Sequence, residues 1–546
     1  MTVRESAVGF AAVFAATALC AGVATTDLWP PDETRYAEIS RQMTADRSWV
    51  LPRLNGTPFI EEPSLFYWLQ AASFRVFGGP TASAARVPAV LGALAGVAVT
   101  AAFAAEVGVR PAIAVGVLAT SPEYWWMARS ATPDTSMAAA SAAALLLFLM
   151  AWRTGRSAPL VGAAFAAAVA FWLKSLLPVG LAACVAIAFV ARAGRGKLRA
   201  GPLGVAALVV AVLLGAWVVV LVAETGREGA YFFLVTNHLG RLRGEIKEGH
   251  IRPVLYYAWN LPVDLLPWSL LLPALAARAW RDRADLRSSI PTLWVATMVA
   301  VLTLSSSKRA HYLLPAYPAF AVAIAAWWQR TAGAWTARVT RWAFSAVIIG
   351  SPAIVFLVTA GHFEKLVGQP AGSVWELVRV AAASITPSPT AAIAAALCAV
   401  PVAAYVSTVR RRDGTSAVAA ATLALAIVHL VTVWVVLPRF DAVVSPRPLG
   451  ERLAAAGARG AELAAFGFPS PEQLSGLMFY ARRRIPLVSL DEAKDLLARR
   501  ACLVVAKHRR AKLGVLPDRV SVWRGEGRGP DVDVVATEGA GCVDQF

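Results

Sequence analysis

The sequence predicts a polytopic α-helical membrane protein with about 13 transmembrane helices and a small C-terminal α/β domain outside the membrane. Composition comes first: of 546 residues, 58% are hydrophobic and only 16% charged, against roughly 25% charged in ordinary soluble domains. The apolar residues then gather in runs close to the ~20 residues that cross a hydrocarbon core. Finally, residues 439–546 lose that character and return to ordinary polarity. A soluble enzyme, a disulfide-rich secreted domain and a disordered chain are all excluded. The net charge of +18 sits largely in short loops between apolar runs, as membrane topology requires, so nucleic acid is not expected as a partner.

Taken in order, apolar stretches occupy residues 7–25, 84–105, 111–127, 136–152, 159–173, 176–191, 201–223, 254–277, 289–305, 312–328, 342–361, 390–408 and 415–438. The first is preceded only by Arg4 and has no convincing cleavage site, so it reads as a retained helix. With the N-terminus cytoplasmic, every alternate loop is basic. These loops hold Arg110; Arg153 and Arg156; Arg192, Arg195, Lys197 and Arg199; Arg278, Arg281, Arg283 and Arg287; Arg330, Arg338 and Arg341; and Arg410, Arg411 and Arg412. That pattern obeys the positive-inside rule, and an odd number of spans then leaves the C-terminal domain extracytoplasmic. The expected location is a bacterial inner membrane.

Three segments are too polar for lipid, and all fall outside under this topology: residues 26–83, 224–253 and 439–546. Residues 1–438 therefore form the membrane domain. In the last segment, residues 464–468 and 501–506 read as strands and 490–499 as a helix. Cys20, Cys184 and Cys398 fall in spans as packing residues, whereas Cys502 and Cys542 lie where an oxidising compartment permits a disulfide.

The chemistry gathers at the outer boundary. Pro30 and Pro31 precede a helix opened by Asp32 and Glu33, the acids favoured in a first turn. Tyr36, Ile39 and Met43 recur at helical spacing, which predicts a helix lying in the interface. Asp32, Arg35 and Tyr36 share one of its faces. Further along, LPRLNGTPFIEEPSLFYW brings Glu61 and Glu62 to an aromatic run, and ARSATPDTSM places Asp134 at a helix start. Taken singly, these acids also fit plain surface caps. Together, Asp32, Glu61 and Asp134 suit a general base for a hydroxyl acceptor, or a divalent cation site; metal need stays open. Cations are uncommon in short outer loops, yet Arg129, Lys174, Lys308 and Arg309 occupy them, with His238, Arg241 and Arg243 nearby. Lys and Arg together suit a phosphate. Acids beside a phosphate-sized basic site fit sugar transfer from a membrane-embedded lipid phosphate.

The run DETRYAEISRQM…SWVLPRLNGTPFIEEPSLFYW, then ARSATPDTSM, FWLKS, Pro267–Trp268, SSSKRAHYLLPAYP and FPSPEQLSGLMFYARRRIPLV resembles the ArnT-type GT-C glycosyltransferases, relatives of the protein O-mannosyltransferases. The resemblance implies a polyprenyl (undecaprenyl) phosphate sugar donor, inversion at the anomeric carbon, and an extracytoplasmic lipid, glycan or protein acceptor such as lipid A. It implies catalytic roles for Asp32, Glu61 and Asp134. It also implies donor-phosphate contacts from Arg35, Lys174, Arg241, Lys308 and Tyr312. Relatives usually carry Glu-Lys-Pro-Pro in the first loop, where this chain has Glu61-Glu62-Pro63-Ser64. That charge reversal requires another base, such as Arg53, Arg35 or Lys308, a bridging cation, or an altered activity. A transporter and a non-catalytic envelope-assembly protein are the competing classes. Transporters favour paired halves and midplane polar sites, whereas here the polar residues concentrate in the outer loops.

Overall fold

Long stretches of Ala, Val and Leu leave the backbone no polar competitor for its own hydrogen bonds, and in lipid those bonds must close within the segment. The computed structural model accordingly draws most of the membrane domain as helix. It describes residues 3–245, 250–330, 345, 403, 414–499, 501–514, 520–524 and 532–537. Among these, six helices are long and apolar enough to cross a membrane: Ala82–Glu106, Asp134–Thr154, Leu176–Ala193, Ala200–Arg243, Ala310–Arg330 and Ala417–Val436. Glu5–Ala18, Ser157–Leu173 and Ser289–Leu304 are shorter apolar helices. The expected spans at 342–361 and 390–408, with Cys398 and Cys542, lie outside the described residues.

Prolines correct two of the expected spans. Residues 111–127 are not one helix but two, Pro111–Ala119 and Pro122–Ala128. Pro122 disfavours helical backbone at Ser121, and Ser121 is extended at φ −71°, ψ 124°. Residues 254–277 also divide, into Tyr256–Asp264 and Trp268–Arg281, bent by 118°. Pro267 lies in the break between them. A third departure comes from Gly226, whose φ of 73° interrupts the long helix Ala200–Tyr231.

Residues 26–83 contain more structure than their sequence announced. After the helix Asp32–Asp46, the one expected to lie in the interface, come a short hairpin, β1 (Arg53–Leu54) and β2 (Thr57–Pro58), and a helix Leu65–Val76. A buried ion pair fixes where the interfacial helix starts. Arg86 Nε and a terminal nitrogen meet the two Glu33 oxygens at 2.8 and 2.9 Å. Arg86 also donates to the carbonyls of Val23, Thr26 and Asp27, and Glu33 accepts from the backbone N–H of Trp29 and Ala131. Because its oxygens and guanidinium nitrogens are bonded, this pair escapes the cost of an unpaired buried charge. It ties the end of the first helix, the interfacial helix and the loop before Asp134 into one unit.

The C-terminal segment is a mixed five-stranded sheet: β3 (Glu462–Phe466), β4 (Leu487–Val488), β5 (Ala501–Ala506), β6 (Val520–Arg524) and β7 (Val532–Thr537), in spatial order β4-β3-β5-β7-β6. β3 is parallel to β4 and β5, and β7 is antiparallel to β5 and β6. Alternation along the strands decides the two faces. Leu463, Ala465, Cys502, Val504 and Val534 point to the helices Arg447–Ala458 and Ser475–Ala481, in one core with Tyr36, Ile39 and Met43. Ala464, Phe466, Leu503, Val505 and Val535 pack against Ala493 and Leu497 of the helix Leu490–Arg499. Cys502 is disulfide-bonded. The interfacial helix and the sheet domain thus share a hydrophobic core. Gly476 permits the close approach: a Cβ there would fall 2.7 Å from Pro446 Cγ and 3.3 Å from Thr34 Cγ2.

Candidate active site

Asp134 opens the span Asp134–Thr154, Lys174 joins Ser157–Leu173 to Leu176–Ala193, Arg241 lies near the end of Ala200–Arg243, and Arg309 immediately precedes Ala310–Arg330. Successive antiparallel crossings bring the ends of the first three helical segments to one side. The interfacial helix adds Asp32, Arg35 and Tyr36 there.

The acids and cations interlock. Asp32 Oδ1 accepts from Arg35 at 2.9 Å and Oδ2 from Arg309 at 2.9 Å. Arg35 also reaches Glu472 Oε2 of the sheet domain at 2.8 Å, and its guanidinium lies 5.4 Å from the centre of the Tyr36 ring and 5.6 Å from that of Phe59. Arg309 bonds the His250 imidazole. Burial and the neighbouring Arg309 charge hold that ring down near a pKa of about 4, so it receives the hydrogen bond as a neutral acceptor. Burial acts to raise the Asp32 carboxyl, but Arg35 and Arg309 outweigh it and leave it below the ordinary carboxylate value. Asp32 is therefore an anion at neutral pH.

A second pair stands alongside. Lys174 Nζ bonds Asp134 Oδ1, His311 Nε2 lies 4.0 Å from the same oxygen, and the Lys174 ammonium sits 5.8 Å from the Tyr312 ring centre. Asp32 and Asp134 both act electrostatically on His311, which joins the two pairs. A third pair, Arg241 to Glu61 Oε2 at 2.9 Å, is steadied by Asn237 donating to the Glu61 carbonyl at 3.2 Å. The three acids thus each meet different cations. Among the described residues no three His, Cys, Asp or Glu side chains gather as a metal-holding group.

Lys308 Nζ is turned onto the carbonyls of Arg252 and Ser305, and the adjacent Arg309 meets Asp32. Arg53, one candidate to replace the missing basic residue, lies 3.9 Å from Glu224 instead. Glu62 stands inside the network. Its Oε1 accepts from the Tyr36 hydroxyl at 2.8 Å, and Lys174 and Arg35 are the cations acting most strongly on it. Sequence reasoning missed Glu472 and His250. Glu472 lies within a motif segment that was read, but nothing in its spacing tied it to a residue 437 positions away.

The long apolar helices thus carry the helix Asp32–Asp46 at one end, and the five-stranded sheet domain packs on that helix. Residues 61–221 match the dolichyl-phosphate-mannose-protein mannosyltransferase family. The undecaprenyl phosphate-α-4-amino-4-deoxy-L-arabinose arabinosyl transferase of Edwardsiella ictaluri is 29% identical over 316 residues, 56% of each chain. Its counterpart in Serratia proteamaculans is 28% identical over 367 residues, 62% of this chain and 65% of that one. The matched region spans little more than half of these relatives. Among solved structures, ArnT from Cupriavidus metallidurans bound to undecaprenyl phosphate superposes with a TM-score of 0.77 at 20% identity, covering 97% of this chain and 98% of that one. The Archaeoglobus fulgidus oligosaccharyltransferase AglB, in complex with an inhibitory peptide and a dolichol-phosphate, gives 0.53 at 13% identity over 93% and 69% of the two chains. The chain is ArnT-like in sequence, and its fold is that of the ArnT crystal structure.

Proposed function

We propose that the chain is an inverting glycosyltransferase. It moves one sugar from a polyprenyl phosphate to an acceptor hydroxyl on the outer side of the membrane. The observation that carries this reading is the Asp32 carboxylate, held ionised between Arg35 and Arg309 beside the Asp134–Lys174 pair. In the proposed reaction the donor phosphate takes up the fork and point-charge donors of Arg35, Arg309, Lys174 and Arg241, which stabilise the charge left on the departing phosphate. Asp32, relieved of part of its arginine contact, accepts the acceptor hydroxyl's proton as that oxygen attacks the anomeric carbon. Asp134 keeps Lys174 charged and aimed. No carboxylate acts as a nucleophile, so configuration inverts.

This reading retains the topology of about 13 crossings with a cytoplasmic N-terminus, residues 1–438 as the membrane domain and 439–546 as the extracytoplasmic domain. The basic alternate loops support it, as does the disulfide at Cys502. The relatives named for aminoarabinose transfer make lipid A one acceptor to examine. The test compares surface glycolipids and glycoproteins by mass spectrometry between a deletion strain and its parent. Loss of one monosaccharide from one acceptor, restored by the wild-type gene and not by Asp32→Asn, is expected. An identical profile contradicts the proposal.

A further inference from the structure

The buried polar atoms at the acid–cation network without a hydrogen-bond partner among the described residues include Asn237 Oδ1 and Arg241 Nε beside Glu61, and a separate group of three around Tyr36: Glu62 Oε2, the Tyr67 hydroxyl and Arg35 Nε. Tyr36 links their residues. Its hydroxyl donates to Glu62 Oε1 at 2.8 Å, and its ring stacks on Tyr67 with centroids 5.7 Å apart. The Arg35 guanidinium lies 5.4 Å from the centre of the Tyr36 ring. Tyr67 is fully buried, and Glu62 is the charge acting most strongly on its phenol. A buried polar atom without a partner is costly, and native proteins keep few of them. Three grouped at the edge of a candidate active site point to a ligand that completes them.

The polarity of the group selects the ligand. Phosphate oxygens are acceptors only and would meet repulsion at Glu62 Oε2. An ammonium has three donors and nothing to accept the phenolic proton. A hydroxyl donates and accepts at once. Resting on the transferase reading above, we propose that Glu62 and Tyr67 form a specificity subsite that grips a ring hydroxyl of the transferred sugar. The sugar hydroxyl donates to Glu62 Oε2 and accepts from the Tyr67 hydroxyl, while Arg35 Nε donates to a neighbouring sugar oxygen. Burial pushes the Glu62 carboxyl up to about 7, which suits a neutral hydroxyl better than a cation. Position 62 is also where the first loop departs from the motif it resembles.

The test uses the full-length chain in lipid nanodiscs and measures dissociation constants for undecaprenyl phosphate alone and for the same lipid carrying glucose, mannose, galactose or aminoarabinose. Wild type is expected to bind at least one hexosyl lipid more tightly than the bare lipid. Glu62→Ala and Tyr67→Phe should each cut that advantage at least fivefold while binding the bare lipid as well as wild type or better. Glu62→Gln, which keeps an acceptor oxygen, should retain most of it. Unchanged melting temperatures exclude misfolding. The proposal is overturned if both truncations keep the full advantage, or if Glu62→Ala costs only the aminoarabinosyl lipid, since the occupant is then an ammonium. Wild type binding the bare lipid with no gain from any sugar overturns the subsite alone. Wild type binding no lipid phosphate overturns the transferase reading, and the subsite with it.

Discussion

Two carboxylate–arginine pairs with the same spacing stand on the interfacial helix, Asp32–Arg35 and Glu38–Arg41, and their surroundings separate them. Glu38 is fully buried. Its oxygens take Arg41 at 2.6 and 2.7 Å and Gln42 at 2.6 Å, all from its own helix. Arg41 finishes the arrangement by donating to the Arg482 carbonyl of the sheet domain at 3.1 Å. Asp32 keeps 29% of its side chain exposed and divides its oxygens between arginines more than 270 positions apart in the chain. One pair is closed and holds two parts of the protein together. The other is shared among the interfacial helix, the loop before a span and the sheet domain, so its partners can be redistributed when a phosphate arrives.

Substitutions should pull these roles apart. Asp32→Asn is expected to cut transfer at least ~100-fold, the scale of losing a general base. Its melting temperature should stay within a couple of degrees of wild type. Glu38→Ala should do the reverse. Removing the acid strands Arg41 and the Gln42 amide and costs roughly 3 kcal/mol of stability, read by thermal unfolding in detergent, while turnover per folded molecule is preserved. If Glu38→Ala abolished turnover without destabilising the fold, the distinction between the pairs would fail.

A pH series sharpens the comparison. The folded state raises Glu62 above its ordinary value to about 7, so the folded chain holds a proton that the unfolded chain releases. The resulting stability is present below the ordinary carboxyl range and is lost as pH rises through about 7. For a half-buried residue this amounts to on the order of 2 kcal/mol. Wild type should lose thermal stability relative to Glu62→Gln between pH 5 and pH 8, and parallel curves for the two proteins would contradict it. The smallest effect is expected from Glu472→Gln. It removes a partly exposed partner of Arg35 and should raise the donor KM about two- to threefold, leaving kcat nearly unchanged.

Much of this site could be read in the sequence, because membrane topology makes misplaced charges conspicuous. Lys174 between two apolar runs, and Asp134 at the head of another, are conspicuous in the sequence, and the two are partners. The helix itself is legible from Pro31, Asp32 and its apolar spacing, and the structure extends it only to Asp46. The choice between Lys308 and Arg309 was not legible. Adjacent cations differ by one backbone rotation, and the bridge between Ile251 and Ser307 fixes that turn from a distant segment. The broken helix at Pro267 and the split at Pro122 were hidden by average hydropathy, which counts apolar residues without regard to a backbone that cannot continue. In the sheet domain, β5 and the helix Leu490–Arg499 match their expected limits. β3 begins two residues earlier than expected, at Glu462, where register with β5 sets the limit.

The most direct test of the account is the affinity of the full-length chain in nanodiscs for undecaprenyl phosphate, compared among wild type, Arg309→Ala and Lys174→Ala. If these cations hold the donor phosphate, each substitution weakens binding at least ~10-fold, as expected for losing a charge-assisted bond, with the fold intact by melting temperature. Equal affinity in all three proteins would contradict it.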